Sequence, residues 1–286
     1  MEGVNGMSGV IYLVATPIGN LEDITLRALN ILKDVDIIAA EDTRHTLQLL
    51  NHFEIKKPLF SYHEHNQRES GEKLIQMALE GKNIALVTDA GTPGISDPGE
   101  GIVKLAIENG VQVYLIPGAA ALIYGLVVSG LATSRFVFEG FLPTDNKSRR
   151  ERLKSLESEE RTIIFYEAPH KLQRTLGDLY ESFGDRKIAL CRELTKRHEE
   201  IARCTLSEAI ESFGDRKPLG EFVLVMEGKS RQELEKERLQ QFEELTIEQH
   251  IRMFMENGLT KKDAIKEVAR ERKLPKAEVY KHSLDI

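Results

Sequence analysis

Four short, mostly apolar runs alternate with amphipathic segments through residues 10–116, and each run opens into a loop. The runs are Val10–Ala15, Val35–Ala40, Ile84–Thr88 and Val111–Ile116. Apolar runs of this length without polar alternation belong to strands buried on both faces. A helix is expected near Thr25–Lys33, with Leu26, Leu29 and Leu32 on one side and Asp23 or Thr25 able to cap it. Gly81 and Gly110 each end a helix just before the next strand. Strand, helix, strand in this order implies βαβ units and a mainly parallel sheet.

The pattern changes at Arg135–Phe141. Strand candidates Thr162–Tyr166, Ile188–Arg192, Glu200–Thr205 and Phe222–Met226 then come closer together. Helices are expected at Ser148–Ser158, Lys171–Phe183 and Leu206–Phe213. This is a second α/β domain with more antiparallel pairing, so the fold class is α/β with a mainly parallel sheet, then a mixed one. A polar, helix-rich tail follows, with Gly228–Gln232 as a boundary candidate. The expected division is 1–120, 121–229 and 230–286.

Charge is distributed unevenly. The chain carries −7 overall, which is no signature of a nucleic-acid binder. From Leu259 to Ile286, however, eight Lys/Arg face five Asp/Glu, leaving +3 in the tail and −10 elsewhere. Gly258 can end one helix and Leu274-Pro275 separates two more, so the tail reads as a small helix-turn-helix-like module with a basic tip. A solvated helical appendage or a dimerisation arm is the alternative.

Val113–Ala132 contains no charge and is long enough to resemble a membrane span. Pro117-Gly118 interrupts it. The part from Ala119 onward would span only about 21 Å as a helix, against a bilayer core of about 30 Å. A buried strand, a turn and a buried helix explain it better, and no membrane partner is expected. Cys191 and Cys204 make no disulfide framework and read as reduced. No signal peptide is recognised, so a cytoplasmic setting is expected.

Open parallel sheets bind ligands at the C-terminal ends of their strands. The loops there are Thr16–Asn20, Glu41–Arg44, Thr88–Gly99 and Pro117–Ala120. The third holds three glycines, two prolines and two aspartates. Glycine permits close backbone approach to a ligand, and proline stiffens the loop. Neither GxGxxG after a strand nor GxxxxGK[ST] occurs, which disfavours dinucleotide and P-loop chemistry.

Several long motifs now carry a resemblance. Tyr12-Leu13-Val14-Ala15-Thr16-Pro17-Ile18-Gly19-Asn20-Leu21-Glu22-Asp23-Ile24-Thr25 is the first. Ala40–Arg44, Ser61-Tyr62-His63-Glu64-His65-Asn66 and the glycine-rich loop follow, then Phe138–Pro143, Phe165–His170, Arg192–Lys196 and Gly220–Val225. In this order they resemble the small-subunit ribosomal RNA methyltransferase I branch of the tetrapyrrole (corrin/porphyrin) methylase superfamily, over about residues 10–229. The tail also looks like that branch's C-terminal appendage. One departure stands out: where the family often has Pro-Gly-Pro-Ser-Ala, this chain has Pro117-Gly118-Ala119-Ala120-Ala121. Ala120 removes a side-chain hydroxyl from that loop.

The resemblance implies two α/β domains holding S-adenosylmethionine in the cleft between them. It implies methyl transfer to the 2′-oxygen of a cytidine in the decoding centre of 16S ribosomal RNA, with the small ribosomal subunit as partner and a homodimer as the assembly. The cofactor contacts it implies are Thr16, Pro17, Gly19, Asp89, Gly91, Gly94, Ile95, Ser96, Gly118, Ala119, Ala120 and Tyr166. Asp89 is the strongest of these, as an acceptor for ribose hydroxyls or the amino group. A ribose hydroxyl is a weak acid, so a general base would help. Asp42, His63, Glu64, Glu167 and Glu193 are the base candidates from the motif loops. Arg44, with His170, Arg192 and Lys196, suits phosphate or developing charge. For each acid the plain alternative is a salt bridge or helix cap. Lys147, Arg149, Arg150, Arg152 and Lys154 form a basic cluster that fits RNA phosphates or simply a solvated helix face. His63-Glu64-His65 invites a metal reading, but no third and fourth ligand present themselves, and no metal is expected.

Two rivals remain. A methylase acting on a uroporphyrinogen or corrin ring would share fold and cofactor, though it has no need of a basic helical tail. A non-catalytic ribosome-assembly protein on the same scaffold would not need the glycine-rich loop.

Overall fold

A computed structural model describes residues 8–214, 217–230, 232–234 and 245–284. Arg231 in the boundary candidate and Asp285 in the tail lie outside the described residues. The described residues form two compact units. One comprises Met1–Lys154 with Thr162–Glu227, the other Ser155–Arg161 with Gly228–Ile286, as far as each is described.

The first unit opens with a parallel sheet. Its strands are β1 (Val10–Val14), β2 (Ile37–Ala40), β3 (Leu59–Ser61), β4 (Ile84–Val87) and β5 (Gln112–Ile116), in the order β3-β2-β4-β1-β5. The helices between them are α1 (Leu26–Asp34), α2 (Thr43–His52), α3 (Gln67–Leu79) and α4 (Gly99–Glu108). Side chains alternate across a strand, so each strand feeds both faces. Ile11, Leu13, Ile84 and Leu86 pack with Leu74 and Ala78 of α3 and Ile102 and Ala106 of α4. Val14, Ala85 and Val87 pack instead with Ala28 and Leu32 of α1 and Leu50 of α2. Helices on both faces account for the near-absence of polar alternation in the strands.

Thr25 caps α1, its hydroxyl accepting from Ala28 N at 3.1 Å. The inward stripe of α1 is Ala28 and Leu32, while Leu26, expected on that stripe, is exposed in the first turn. Gly81 and Gly110 end α3 and α4 at positive φ (95° and 69°), where only glycine is unstrained. The edge strand β3 was missing from the sequence reading, because three residues are too few to show a period.

The second sheet contains β6 (Phe136–Gly140), β7 (Thr162–Glu167), β8 (Lys187–Arg192), β9 (Glu200–Thr205) and β10 (Phe222–Met226), in the order β6-β7-β10-β8-β9. Only β6 and β7 pair in parallel; the other pairs are antiparallel. The uncharged stretch resolves into β5, a turn and α5 (Ala121–Ser129), and α5 packs on this second sheet. A Cβ on Gly125 would lie 2.8 Å from Val223 Cγ1, so the helix backbone rests directly on β10. No helix among the described residues is long and apolar enough to cross a membrane.

The helices of the second half are α6 (Asn146–Ser155), α7 (Leu172–Phe183) and α8 (Leu206–Phe213). Arg149 departs from the expected solvated or RNA-facing cluster. It is buried, with Nε 2.6 Å from Asp178 Oδ2 and Nη2 donating to Thr175 Oγ1 at 2.7 Å.

The second unit contains α9 (Ile247–Glu256), α10 (Lys261–Glu271) and α11 (Lys276–Lys281). They enclose Ile251, Ala264, Ile265, Val268 and Val279. Thr246 and Thr260 cap α9 and α10. Arg272 is not part of the exposed basic tip: its Nε donates to buried His250 Nδ1 at 3.1 Å and its Nη2 to Leu245 O. Lys261, Lys262, Lys266, Lys273, Lys276 and Lys281 are exposed.

Candidate functional site

The loops after β1, β4 and β5 are tied together by their own backbones. Thr16 N donates to Gly91 O at 2.9 Å and Gly91 N returns a bond to Thr16 O at 3.1 Å. Thr16 Oγ1 donates to Thr88 O, and Thr92 Oγ1 donates to Ala119 O at 3.0 Å. Gly91 has φ 86°, a left-handed conformation that favours glycine. The Asp97 carboxylate accepts from Gly94 N and Gly99 N, at 2.8 and 2.7 Å, and closes the glycine-rich loop on itself. Ser96 sits at φ 61° beside Gly140.

Residues from the second sheet face these loops. Gly19 packs against the loop after β8, where a Cβ would lie 2.4 Å from Lys196 Cγ and 2.8 Å from Thr195 Oγ1. Asn20 N donates to Thr195 Oγ1 at 3.1 Å. Between the two sheets lies a cavity of about 700 Å³, within the usual range for a small-molecule site. Its walls include Ile18, Ile95, Leu122, Phe141, Leu194 and Val223, and its polar groups include Glu41, Asp89, Asp97, Glu167, Glu193 and Lys196.

Of the cofactor candidates, Asp89, Gly91, Ile95, Ser96, Ala120 and Tyr166 line this cavity. Thr16, Pro17, Gly19, Gly94, Gly118 and Ala119 belong to the same loops but do not line it. Gly118 backs onto β1, where a Cβ would meet Ala15 Cβ at 2.9 Å. Ala120 is the N-cap of α5 and supplies no side-chain cap. Tyr166 Oη takes that place, accepting from Leu122 N at 3.0 Å, and its own proton remains to be donated. Burial raises the Tyr166 pKa.

The acid and base candidates separate. Glu167 and Glu193 line the cavity. Glu167 is buried and accepts from Ala168 N at 2.8 Å and from Thr175 Oγ1, which in turn accepts from Arg149. Burial pushes the Glu193 pKa up, but the Glu221 N–H and the Lys196 ammonium outweigh it and leave the pKa lowered. Asp42 and Arg44 border a separate shallow depression with His45 and Gln48. They are not free loop residues: Asp42 caps α2 by accepting from Arg44 N at 2.8 Å, and Arg44 lies in the first turn. The Arg44 guanidinium, bonded to both Asp42 oxygens, holds that carboxyl far below the usual range. His63 and Glu64 line neither space. His63 is half-buried and its Nδ1 has no hydrogen-bond partner among the described residues. No group of three or more His, Cys, Asp or Glu among the described residues is arranged to hold a metal.

Glu41, like Asp97 and Glu221, lines the cavity without having stood out as a candidate in the sequence. It precedes Asp42 in a motif whose charge pair drew attention to its neighbours. Its Oε2 accepts from Thr88 Oγ1 at 3.0 Å. Burial, then nearby Asp89 and Asp97, raise its pKa, against the lowering effect of the Thr88 bond.

The chain is similar to known proteins along nearly its whole length. Residues 10–210 match the model of the tetrapyrrole (corrin/porphyrin) methylases. A Bacillus subtilis protein named ribosomal RNA small subunit methyltransferase I is 50% identical over 278 residues, covering 96% of this chain and 95% of its own. A Thermotoga maritima protein of the same name is 49% identical over 221 residues, covering 77% of this chain and 99% of its own. Among solved structures, uroporphyrin-III C-methyltransferase from Thermus thermophilus complexed with S-adenosyl homocysteine has TM-score 0.53 at 18% identity, covering 76% of this chain and 97% of its own. Diphthine synthase has TM-score 0.59 at 17% identity, covering 78% and 91%. At such identities these structures carry the fold alone. Sheet order, cavity and sequence together place the chain in the tetrapyrrole (corrin/porphyrin) methylase family, among relatives named ribosomal RNA small subunit methyltransferase I.

Proposed function

We propose that the protein transfers a methyl group from S-adenosylmethionine to the 2′-hydroxyl of a cytidine in the decoding centre of 16S ribosomal RNA. The observation that carries this reading is the 50% identity over 278 residues to a relative named for ribosomal RNA methylation, which spans body and tail alike. The fold alone does not choose the substrate, since its neighbours include uroporphyrin and diphthine enzymes.

The cavity suits the cofactor. Its apolar walls match an adenine ring, and the Asp89 carboxylate matches ribose hydroxyls or an ammonium group. Gly91, buried at φ 86° and bonded to Thr16 through both its N–H and its carbonyl, holds this wall beside Ile18, where a Cβ would lie 3.3 Å from Ile18 Cγ2. Thr16, Pro17, Gly19, Gly94, Gly118, Ala119 and Ala120 shape the loops, with Ile95, Ser96 and Tyr166 completing the contacts.

Bound there, the sulfonium supplies an activated methyl and its own leaving group. The protein's part is positioning, which can lower a barrier by roughly 7–11 kcal/mol. Tyr166 Oη is fixed by Leu122 N and keeps a proton to donate. Glu193 and Lys196 form a fixed ion pair beside the cavity, suited to orienting polar groups. Arg44, with its side chain 88% exposed, suits a phosphate. Asp42, His63, Glu64 and Glu167 serve in the same proposal as groups that position the loops around the site, His63 and Glu64 in the loop after β3. Asp42 and Glu167 act by holding α2 and the loop after β7.

The division at 120 and 229, a homodimeric assembly and a cytoplasmic setting complete the proposal. Cofactor loops lie before 120 and the closing loops before 229. A ribosomal substrate and two unpaired cysteines fit the cytoplasm.

The test uses methyl-labelled S-adenosylmethionine and small ribosomal subunits from cells lacking the gene. Nucleoside mass spectrometry showing 2′-O-methylcytidine in the decoding region supports the reading. Unlabelled RNA with intact cofactor binding overturns it.

A further inference from the structure

We propose that Glu41 is the general base that accepts the proton of the ribose 2′-hydroxyl, an inference that rests on the reaction proposed above. Its place in the sheet points there. The cofactor loops follow β4, β1 and β5, one contiguous side of the order β3-β2-β4-β1-β5. Glu41 follows β2, on the other side of β4, and lines the same cavity as Asp89. Asp42 N donates to Asp89 Oδ1 at 3.1 Å, so the two strand ends are tied together at this border. Arg44 lies two residues beyond Asp42 with its side chain 88% exposed. A ribose between a phosphate held at Arg44 and a methyl donor held at Asp89 therefore meets Glu41.

The other cavity acids are committed. Asp97 accepts from Gly94 N and Gly99 N. Glu193 accepts from Lys196 and Glu221 N, and Glu221 pairs with the same lysine. Glu167 accepts from Thr175 and Ala168 N. Glu41 accepts from Thr88 Oγ1 at 3.0 Å and, more weakly, from the Asp89 N–H. The groups around it are carboxylates and a phenol: Asp89 and Asp97 from the loop after β4, and Tyr62 from the end of β3, whose hydroxyl donates to Pro98 O. Asp42 and Arg44 neutralise each other beside it. Among the described residues no cation offsets its partial burial, which makes its carboxylate more basic than an ordinary one.

The step balances. The 2′-oxygen bonds to the methyl carbon as the carbon–sulfur bond breaks. The electron pair of that bond goes to sulfur, leaving a neutral thioether, and the hydroxyl proton passes to the Glu41 carboxylate.

The test compares full-length wild-type protein with Glu41→Gln and Thr88→Val on small ribosomal subunits lacking the methyl group. Glu41→Gln is expected to slow single-turnover methylation about 10²–10⁴-fold while S-adenosylmethionine affinity, by calorimetry, stays within about twofold, a difference of only about 0.4 kcal/mol. Its melting temperature should be unchanged or higher, because it removes a half-buried charge. The wild-type rate should rise with pH through an acid limb that Glu41→Gln abolishes. Thr88→Val removes the larger of the two hydrogen bonds that lower the Glu41 pKa, so its limb should move to higher pH. Near-wild-type methylation by Glu41→Gln, parallel loss of cofactor affinity, or a limb that Thr88→Val does not move would each overturn the assignment. Wild-type protein that labels no RNA would instead defeat the functional reading itself.

Discussion

Leu122 N donates to Tyr166 Oη at 3.0 Å, so a side chain from β7 caps the first turn of α5. The N-cap itself, Ala120, has no side chain able to do so. The cap absent at Ala120 is thus supplied from the sheet on which α5 packs, and the bond fixes α5 to β7 along the cavity wall.

Tyr166→Phe should destabilise the protein by about 1–3 kcal/mol, because it leaves a partly buried N–H without its acceptor. Ala120→Ser should restore about 0.5–2 kcal/mol of that loss in the Phe background by supplying an ordinary N-cap. Urea denaturation of the two single variants and the double variant checks the pair. A serine equally stabilising with and without Tyr166 would mean that the tyrosine is no cap.

Arg149 is held between Asp178, Thr175 and Pro143 O, and Thr175 passes the contact on to Glu167. Arg149→Met leaves Glu167 without that support and Asp178 without its cation. Breaking a buried pair from one side costs about 3–5 kcal/mol. The lower end is expected, since the Asp178 side chain is 30% exposed. Chemical denaturation measures it, and a loss under 1 kcal/mol would return Arg149 to the surface cluster.

Asp89→Ala should weaken S-adenosylmethionine binding at least about tenfold, since a hydrogen bond to a charged group contributes about 1.5–3 kcal/mol. Calorimetry decides it; unchanged affinity would remove Asp89 from the contacts.

Reversing Lys262, Lys266 and Lys273 to glutamate should weaken binding of ribosomal RNA and flatten its salt dependence, with cofactor affinity and the rate at saturation retained. The tail is expected to add affinity rather than chemistry, because the family match ends at residue 210 and no described tail residue lines the cavity. Salt-titrated filter binding is the measurement, and an unchanged slope would make the module a plain helical appendage.

The sequence by itself determined much of the architecture. Buried strands between amphipathic helices carry local periods, and Thr25, Gly81 and Gly110 act through short-range hydrogen bonds and backbone conformation. Those features read correctly without any tertiary contact. Long motifs likewise located the loops that form the cavity.

What only tertiary structure decided is which polar side chain faces what. Arg149 reads in the chain as one of five cations, yet it is buried because Asp178 and Thr175 approach from a helix more than twenty residues away. Glu41 stands beside the more conspicuous Asp42 and Arg44, but those two neutralise each other at the start of α2. Glu41 turns to Thr88, 47 residues on, and into the cavity. Local periodicity sets which elements form. The protonation and partners of a carboxylate depend on desolvation and on charges brought near by packing, which no local stretch of sequence contains.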